Sequence, residues 1–345
     1  MRFCLLNASL LLLMLTAVTS ALHASAPQAA DRRQQTRLDE ALRREGDAII
    51  ALADAAMSGR RSPSDFAMEW RNDYLKAQPG TFVPFTVSVD PSIRSTPGAL
   101  MYVRVVDRTA SPANKRRQGP VVAYEAIFPV DLDDATAQPL RIRRGFAVRP
   151  GSYTVYVVLR ERPPDLPERR NEKRKAAVLV QLLDVPDFWT NELTTSTVIL
   201  ADKVEPLAAK VPPSRLEEDP YVVGNSRIYP SSSAAFRRER ELIVVFLIYN
   251  QLVGSDKHFD IQVDYHLYRK NREGERYVTR TNPQRFTPSL MGPNYDPASG
   301  QPVLAGQGIL LSEFETGEYR LGITVTDLLA RKSVSRDVTF TVMGS

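Results

Sequence analysis

Cysteine is almost missing: the 345 residues hold one, Cys4, with three histidines and two tryptophans. Each shortage removes chemistry. Cys4 precedes an apolar run at the very start, so the chain beyond it has no disulfide, thiol nucleophile or thiolate metal site. Stability then has to come from packing. His23 lies in the same leading segment, which leaves His258 and His266 for imidazole chemistry. A Gly-x-Ser-x-Gly elbow, a phosphate-binding Walker loop, a dinucleotide-binding glycine fingerprint and His-Glu-x-x-His are also absent. Nor is either charge in large excess, with Lys+Arg 45 against Asp+Glu 40, a net +5. The basic clusters Lys115–Arg117, Arg141–Arg144, Arg169–Lys175 and Arg237–Arg240 are short. The third is interleaved with acids and flanked by proline, which reads as a solvated loop, and no nucleic-acid partner is expected.

What is present begins with a leader pattern. Arg2 precedes an apolar run from Leu5 to Val18, broken by Asn7, Ser9 and Thr16, and Thr19-x-Ala21 and Ala24-x-Ala26 have the small residues of a cleavage site. The run is shorter than the ~20 residues of a membrane-spanning helix. The expectation is a signal peptide over residues 1–26, an exported protein of the periplasm or the extracellular space, and no membrane span after cleavage. Residues 27–79 are expected to be helical. Leu38, Leu42, Ile49, Leu52 and Ala56 repeat at close to 3.6 residues up to Gly59, and a second piece runs from Pro63 to Tyr74 with Ser62 as N-cap.

From residue 80 the period changes to two. Phe85, Val87 and Val89 alternate with polar residues, with Pro84 marking an edge or a bulge. Strands are expected at roughly 82–90, 100–107, 120–130, 138–147, 152–161 and 176–184. A second series follows at roughly 195–201, 221–229, 240–250, 259–269, 276–286, 303–311, 317–327 and 334–343. The fold class is mainly β, two antiparallel sandwiches over 80–187 and 188–345, with the boundary in "DVPDFWTNE" at 184–192. Both halves end on one pattern. In the tail, Tyr319, Leu321, Ile323 and Val325 alternate, and Val338, Phe340 and Val342 follow on a returning strand. At mid-chain Tyr153, Val155, Val157 and Leu159 do the same before "AAVLVQLLDV". Gly151-Ser152-Tyr153 and Gly317-Glu318-Tyr319 are the shared element.

Gly-x-Tyr followed by an inward residue resembles the penultimate strand of immunoglobulin-like and fibronectin-type sandwiches. The resemblance implies that the hydroxyls of Tyr153 and Tyr319 bond back to backbone at a corner. It also implies that Val155 and Leu321 stand where antibody domains carry a cysteine, so each sandwich is disulfide-free. Gly151, Tyr153, Gly317 and Tyr319 are then structural anchors. More loosely, "ILADKVEPL", "DPYVVGNSRIYP" and the tail are similar to β-domain tails of exported bacterial proteins that accompany von Willebrand A or GWxTD modules. The Asp-x-Ser-x-Ser and Gly-Trp-x-Thr-Asp signatures of those modules are missing, so neither activity is carried over.

No catalytic, metal or cofactor site is expected. On "HFDIQVDYHLY" the outward residues are His258, Asp260, Gln262, Asp264 and His266, and the spacing lets Asp264 and His266 reach one ion, too few ligands for a structural site. Asp131, Asp133 and Asp134 read as a solvated turn. "ELIVVFLIYN" is apolar on both faces, so Ile243, Val245 and Leu247 need a cover. The helix Arg37–Ala56 is expected over this strand or over its counterpart in the first sandwich, with a partner protein as the alternative. Phe188 and Trp189 complete the candidate interaction surface, as a ligand platform or as a plug between the halves. The function expected is a non-enzymatic binding or scaffolding protein of the cell envelope, whose partner is a protein or polysaccharide. Two alternatives remain open: an anionic-glycan module using Arg141, Arg143, Arg144 and the Arg169–Lys175 loop, and a glycoside hydrolase with a carboxylate site between the sandwiches.

Overall fold

The computed structural model describes residues 43–78, 80–95, 98–109, 120–131, 139–162, 173–291 and 295–344. The leader expected at 1–26, residues 27–42, the acids Asp133 and Asp134 and residues 169–172 lie outside them. The chain groups into two units, Met1–Ile50 and Ala51–Ser345. Of the first, the described residues 43–50 are helical; the second opens with a helical stretch at 51–57. Gly59 ends that stretch with a φ of +69°, a left-handed conformation that costs glycine nothing. Among the described residues no helix is long and apolar enough to cross a membrane.

The rest of the second unit is strands and turns. The first eight strands are β1 (Met68–Asn72), β2 (Leu75–Lys76), β3 (Thr81–Val89), β4 (Ala99–Asp107), β5 (Val121–Val130), β6 (Leu140–Val148), β7 (Gly151–Glu161) and β8 (Ala176–Val185). In one antiparallel sheet β3 is central, with β6 on one side and β1 and β2 on the other; a second sheet runs β5-β4-β7-β8. Then follow β9 (Thr194–Thr195), β10 (Ile199–Pro206), β11 (Val222–Val223), β12 (Ser226–Pro230), β13 (Ala235–Arg237) and β14 (Glu241–Tyr249). The last are β15 (Ile261–Asn271), β16 (Gly274–Arg280), β17 (Gln284–Phe286), β18 (Val303–Leu310), β19 (Gly317–Asp327) and β20 (Lys332–Met343). They form a third sheet, β11-β12-β10-β14-β18, and a fourth, β13-β20-β19-β15-β16, with β9 also on β14 and β17 on β15. Only β13 on β20 is parallel among these pairings. One connectivity recurs: β3 pairs with β6 as β14 does with β18, and β5-β4-β7-β8 is matched by β16-β15-β19-β20.

Alternation explains why these segments are strands and where they face. Val83, Phe85, Val87 and Val89 of β3 meet Met101, Val103 and Val105 of β4 and Tyr153, Val155, Val157 and Leu159 of β7 in one apolar core. Leu242, Val244, Phe246 and Ile248 of β14 meet Ile261, Val263, Tyr265 and Leu267 of β15 and the tyrosine-led stripe of β19 in another. Burying each such side chain is worth about 1.5–3 kcal/mol. That is what stabilises a chain whose described part has no covalent cross-link.

Two local expectations are corrected. The stretch from Pro63 to Tyr74 is not helical: Ser64 bridges Ala177 and 68–72 is β1. Trp70 stacks on Phe85 with ring centroids 4.3 Å apart, and the ladder on β3 satisfies backbone that an isolated short helix leaves marginal. The helical region therefore does not reach residue 79. Pro84, in turn, lies in a central strand, at the gap between the partners β1 and β2. It stands opposite Gly145, whose amide donates instead to Glu217 O at 2.9 Å. A Cβ at Gly145 would come within 2.3 Å of the Phe82 ring and 3.0 Å of Pro220, so only glycine lets the 217–220 segment approach.

The glycine–tyrosine pairs have the same geometry in both halves. Gly151 and Gly317 have φ of +154° and +149°. Tyr153 and Tyr319 are buried, and their hydroxyls donate to Arg149 O and Glu315 O, each at 2.8 Å and each four residues back. Tyr319 also stacks on Phe340 at 5.5 Å. Tyr319→Phe, which removes the hydrogen bond alone, is expected to cost about 1 kcal/mol. Tyr319→Ala is expected to cost about 3–5 kcal/mol, with Tyr153 behaving alike. Urea unfolding checks this; equal losses for Phe and Ala would refute the division between packing and bond.

Candidate functional site

The segment that joins the two cores creates the site. Phe188 is buried with Leu75, Leu247 and Tyr249, its ring 5.2 Å from that of Tyr249. Trp189, 48% exposed, donates from Nε1 to Ala77 O and Gly80 O, both at 2.9 Å, and Lys76 Nζ lies 4.5 Å above its ring. Lys76 Nζ also donates to Asn250 Oδ1 at 2.8 Å, and the Lys76 amide to the Tyr249 hydroxyl at 3.0 Å. Tyr74 and Thr197 exchange bonds: the Tyr74 amide donates to Thr197 Oγ1 at 3.0 Å, and the Thr197 amide to Tyr74 O at 3.3 Å. The β1–β2 edge of the first sheet is thereby fixed against β9, β10 and β14.

The second face of β14 is covered from within. Val245 packs with Ile199, Tyr221 and Ile228, with Ile243 at the margin of that cluster, and Leu247 lies with Phe188. Of the five residues of the candidate interaction surface, Trp189 is the exposed one. The helical stretch 51–57 meets the first half, on β4 and not on β3, the counterpart of β14: Asp54 and Met57 accept hydrogen bonds from Arg104, whose other nitrogen reaches Glu125 at 2.9 Å.

A cleft of about 420 Å³ opens between the outer face of the first sheet and the following strands. On the sheet side the register aligns Arg71, Thr86 and Arg143 in one row across β1, β3 and β6, and Ser88 and Arg141 in the next. Ile142 between the arginines points into the core. Opposite stand Tyr221, Ser231, Ser232 and the Asp337–Thr339 stretch of β20. A neighbouring cavity of about 370 Å³ shares Arg141, Arg143 and Tyr221 in its lining and adds Arg144, Arg227, Glu218 and Asp219.

Its charges divide into satisfied and unsatisfied groups. Asp337 pairs with Arg320 at 2.6 Å, and Arg227 Nε donates to Asp219 at 3.0 Å. Arg144 donates to Arg143 O at 2.7 Å and lies 5.1 Å from the Phe128 ring centroid. Arg71 donates to Ser231 O at 3.3 Å. The half-buried guanidinium groups of Arg141 and Arg143 have no hydrogen-bond or ion-pair partner among the described residues. At the base, the Tyr221 hydroxyl donates to Asp73 Oδ2 at 2.9 Å. Burial raises the Asp73 carboxyl above its ordinary range, against hydrogen bonds from Tyr221 and Thr197 and the nearby charge of Arg71. Burial, reinforced by that carboxylate, holds the Tyr221 hydroxyl well above its usual value.

The other sequence candidates are dispersed. Asp260 is buried and bound by Arg285, with Nε at 2.7 Å, rather than facing outward. Asp264 accepts from Gln262 at 2.9 Å, and the His266 ring lies 6.2 Å from Tyr277. Among the described residues no three His, Cys, Asp or Glu side chains are grouped to hold a metal ion. Of the Arg169–Lys175 loop, Lys173 lies 3.6 Å from Asp65 and Lys175 donates to Ser92 O. Arg71, Asp73 and Tyr221 are the cleft residues that sequence reasoning missed. The signal was the alternation of Met68, Trp70 and Asn72, obscured by a helix reading of that stretch. No protein-family model matches the chain, and no curated protein is significantly similar to it.

Asp73 generates a pH test. A carboxyl raised on folding is protonated more readily in the folded chain than in the unfolded one. Its contribution to stability is full below the unfolded value of 3.8 and declines as pH rises through the folded value. Asp73→Asn keeps an acceptor for Tyr221 and removes the buried charge. It is expected to melt above wild type at neutral pH, with the gap closing below about pH 4. Melting curves across that range check this; a gap independent of pH would refute it.

Proposed function

We propose that this chain is an exported, non-enzymatic binding protein of the cell envelope, built as two immunoglobulin-like sandwiches that hold an anionic ligand between them. The observation that carries the reading is the pair of unpartnered guanidinium groups, Arg141 and Arg143, in the cleft. Arginine forks take carboxylate and phosphate oxygens in bidentate fashion. A half-buried cation without a partner is costly to desolvate until an anion compensates it. The leader pattern of Arg2 and Leu5–Val18 supports export. The recurrent strand order and the twice-repeated tyrosine bond support the immunoglobulin-like assignment.

The hydrolase reading draws on Asp73, a carboxyl with a raised pKa in the same cleft. Its raised value follows from burial, and its oxygen is engaged by Tyr221, so binding is the better account.

Retention on an immobilised acidic polysaccharide tests the proposal. Wild type is expected to bind at low ionic strength and to elute as salt screens the contact. Arg141→Gln with Arg143→Gln is expected to weaken retention by about tenfold or more, since each charge-assisted bond contributes about 1.5–3 kcal/mol. Arg276→Gln with Arg280→Gln, which removes equal charge from the exposed strand β16, is expected to leave most of the retention. Equal losses in both double variants would mean that net charge alone is responsible.

A further inference from the structure

The spacing and surroundings of the two free arginines define the ligand more narrowly. Arg141 and Arg143 are two residues apart on β6 and leave the same face, so their roots are about 6.5–7 Å apart. Each fork is equipped for a carboxylate of its own. No acid of the cleft is paired with them: Asp337 belongs to Arg320, Asp219 to Arg227, Asp73 accepts from Tyr221, and the exposed Glu218 acts on Arg144. The two guanidinium groups without a partner are therefore spread along a strand rather than focused at a point, and Arg71 and Arg144, hydrogen-bonded to backbone carbonyls, add positive charge beside them.

We infer that the ligand is an acidic oligosaccharide carrying carboxylates on neighbouring sugar units, one for Arg141 and one for Arg143. The inference rests on the anion-binding reading above and specifies the chemistry of its ligand. Thr86 and Ser88 stand in register with Arg143 and Arg141 on the same sheet face, Thr86 bonded to the Tyr221 hydroxyl, and Ser231 and Ser232 also line the cleft. Such groups both donate to and accept from sugar hydroxyls. Arg141, Arg143 and Tyr221 line two cavities, so open space adjoins the pair beyond the cleft itself. A chain longer than two units thus has somewhere to run. A nucleic acid would need aromatic faces for its bases, and the Tyr221 ring is 3% exposed. An acidic peptide in extended form has similar charge spacing. β6 pairs with β3 alone among the described strands, so its outer edge is in no ladder and is open to strand addition by such a peptide; the hydroxyl-bearing lining favours the sugar, and oligoglutamate is the control that separates the two.

The test is calorimetric titration of the full chain with galacturonate and its linear oligomers of two to six units, their methyl esters, and an oligoglutamate of equal charge. Two linked contacts raise the effective concentration of the second. The dimer is therefore expected to bind at least about tenfold tighter than the monomer, and Arg141→Gln or Arg143→Gln alone to abolish that advantage while leaving monomer binding measurable. Methyl esters are expected not to bind, and the melting temperatures of both variants to match wild type. A dimer no tighter than the monomer overturns the inference while leaving an arginine-dependent anion site intact. Tighter binding of oligoglutamate overturns it in favour of a peptide. No binding of any anion overturns the underlying reading as well.

Discussion

Phe188 packs against Leu75 of the first sheet and Leu247 and Tyr249 of β14, and the position of the cleft follows from that contact. Without it, the outer face of the first sheet and the outer face of β14 would be two separate surfaces, one lined with arginine and the other apolar. The cluster is small, but it is bordered by directional bonds that convert apolar contact into a fixed placement. Trp189 Nε1 reaches two carbonyls of the β2–β3 turn, Tyr74 and Thr197 bond reciprocally, and the Tyr249 hydroxyl accepts from Lys76. Polar bonds at the rim of an apolar seal specify geometry, while burial supplies most of the free energy.

The backbone is arranged to permit the same approach from the other side. The register between β3 and β6 runs unbroken past Pro84 and Gly145; the Gly145 amide turns away from β3 to Glu217 O, and the missing side chain leaves room for that segment. Tyr124 reinforces this contact from β5 through Glu217 Oε2 at 3.0 Å. The 217–221 segment can then deliver Tyr221 to Asp73, closing the base of the cleft with a hydrogen bond. The cleft is thus a polar gap held between two contacts, one at Phe188 and one at Gly145.

Inside that gap the electrostatics are uneven. Most of its acids already have partners, and the carboxyl at its base is disposed toward its neutral form by burial. Arg141 and Arg143 are the cleft cations with neither a hydrogen-bond nor an ion-pair partner among the described residues. A sheet face normally solvates such side chains fully, but here the opposing strands withdraw part of the water. The folded chain bears that desolvation cost, which an anion bound there would offset. This asymmetry separates the cleft from the many surface ion pairs elsewhere on the chain, which contribute little.

Much of this fold was legible in residue order. Strand positions follow from alternation because a side-chain period of two is a local property: "ELIVVFLIYN" and "GEYRLGITVTD" reveal their faces without reference to anything distant. The mainly-β class and the repeated Gly-x-Tyr are of that kind, as is the need for something to cover β14. The cover itself, Tyr221 and Ile228 from one hairpin and Leu75 and Phe188 from two other segments, is assembled from residues far apart in sequence. Residues 63–74 misled for the same reason: a capped start and a short apolar repeat resemble a helix, and only the available edge of β3 makes β1 a strand. Arg141 and Arg143 could be picked out as a basic pair from the sequence alone. Whether they are solvated, neutralised or left unpaired depends on where Asp73, Asp219 and Asp337 lie, and that was decided by packing across the chain, because Coulomb and desolvation energies depend on distance and water access rather than on sequence separation.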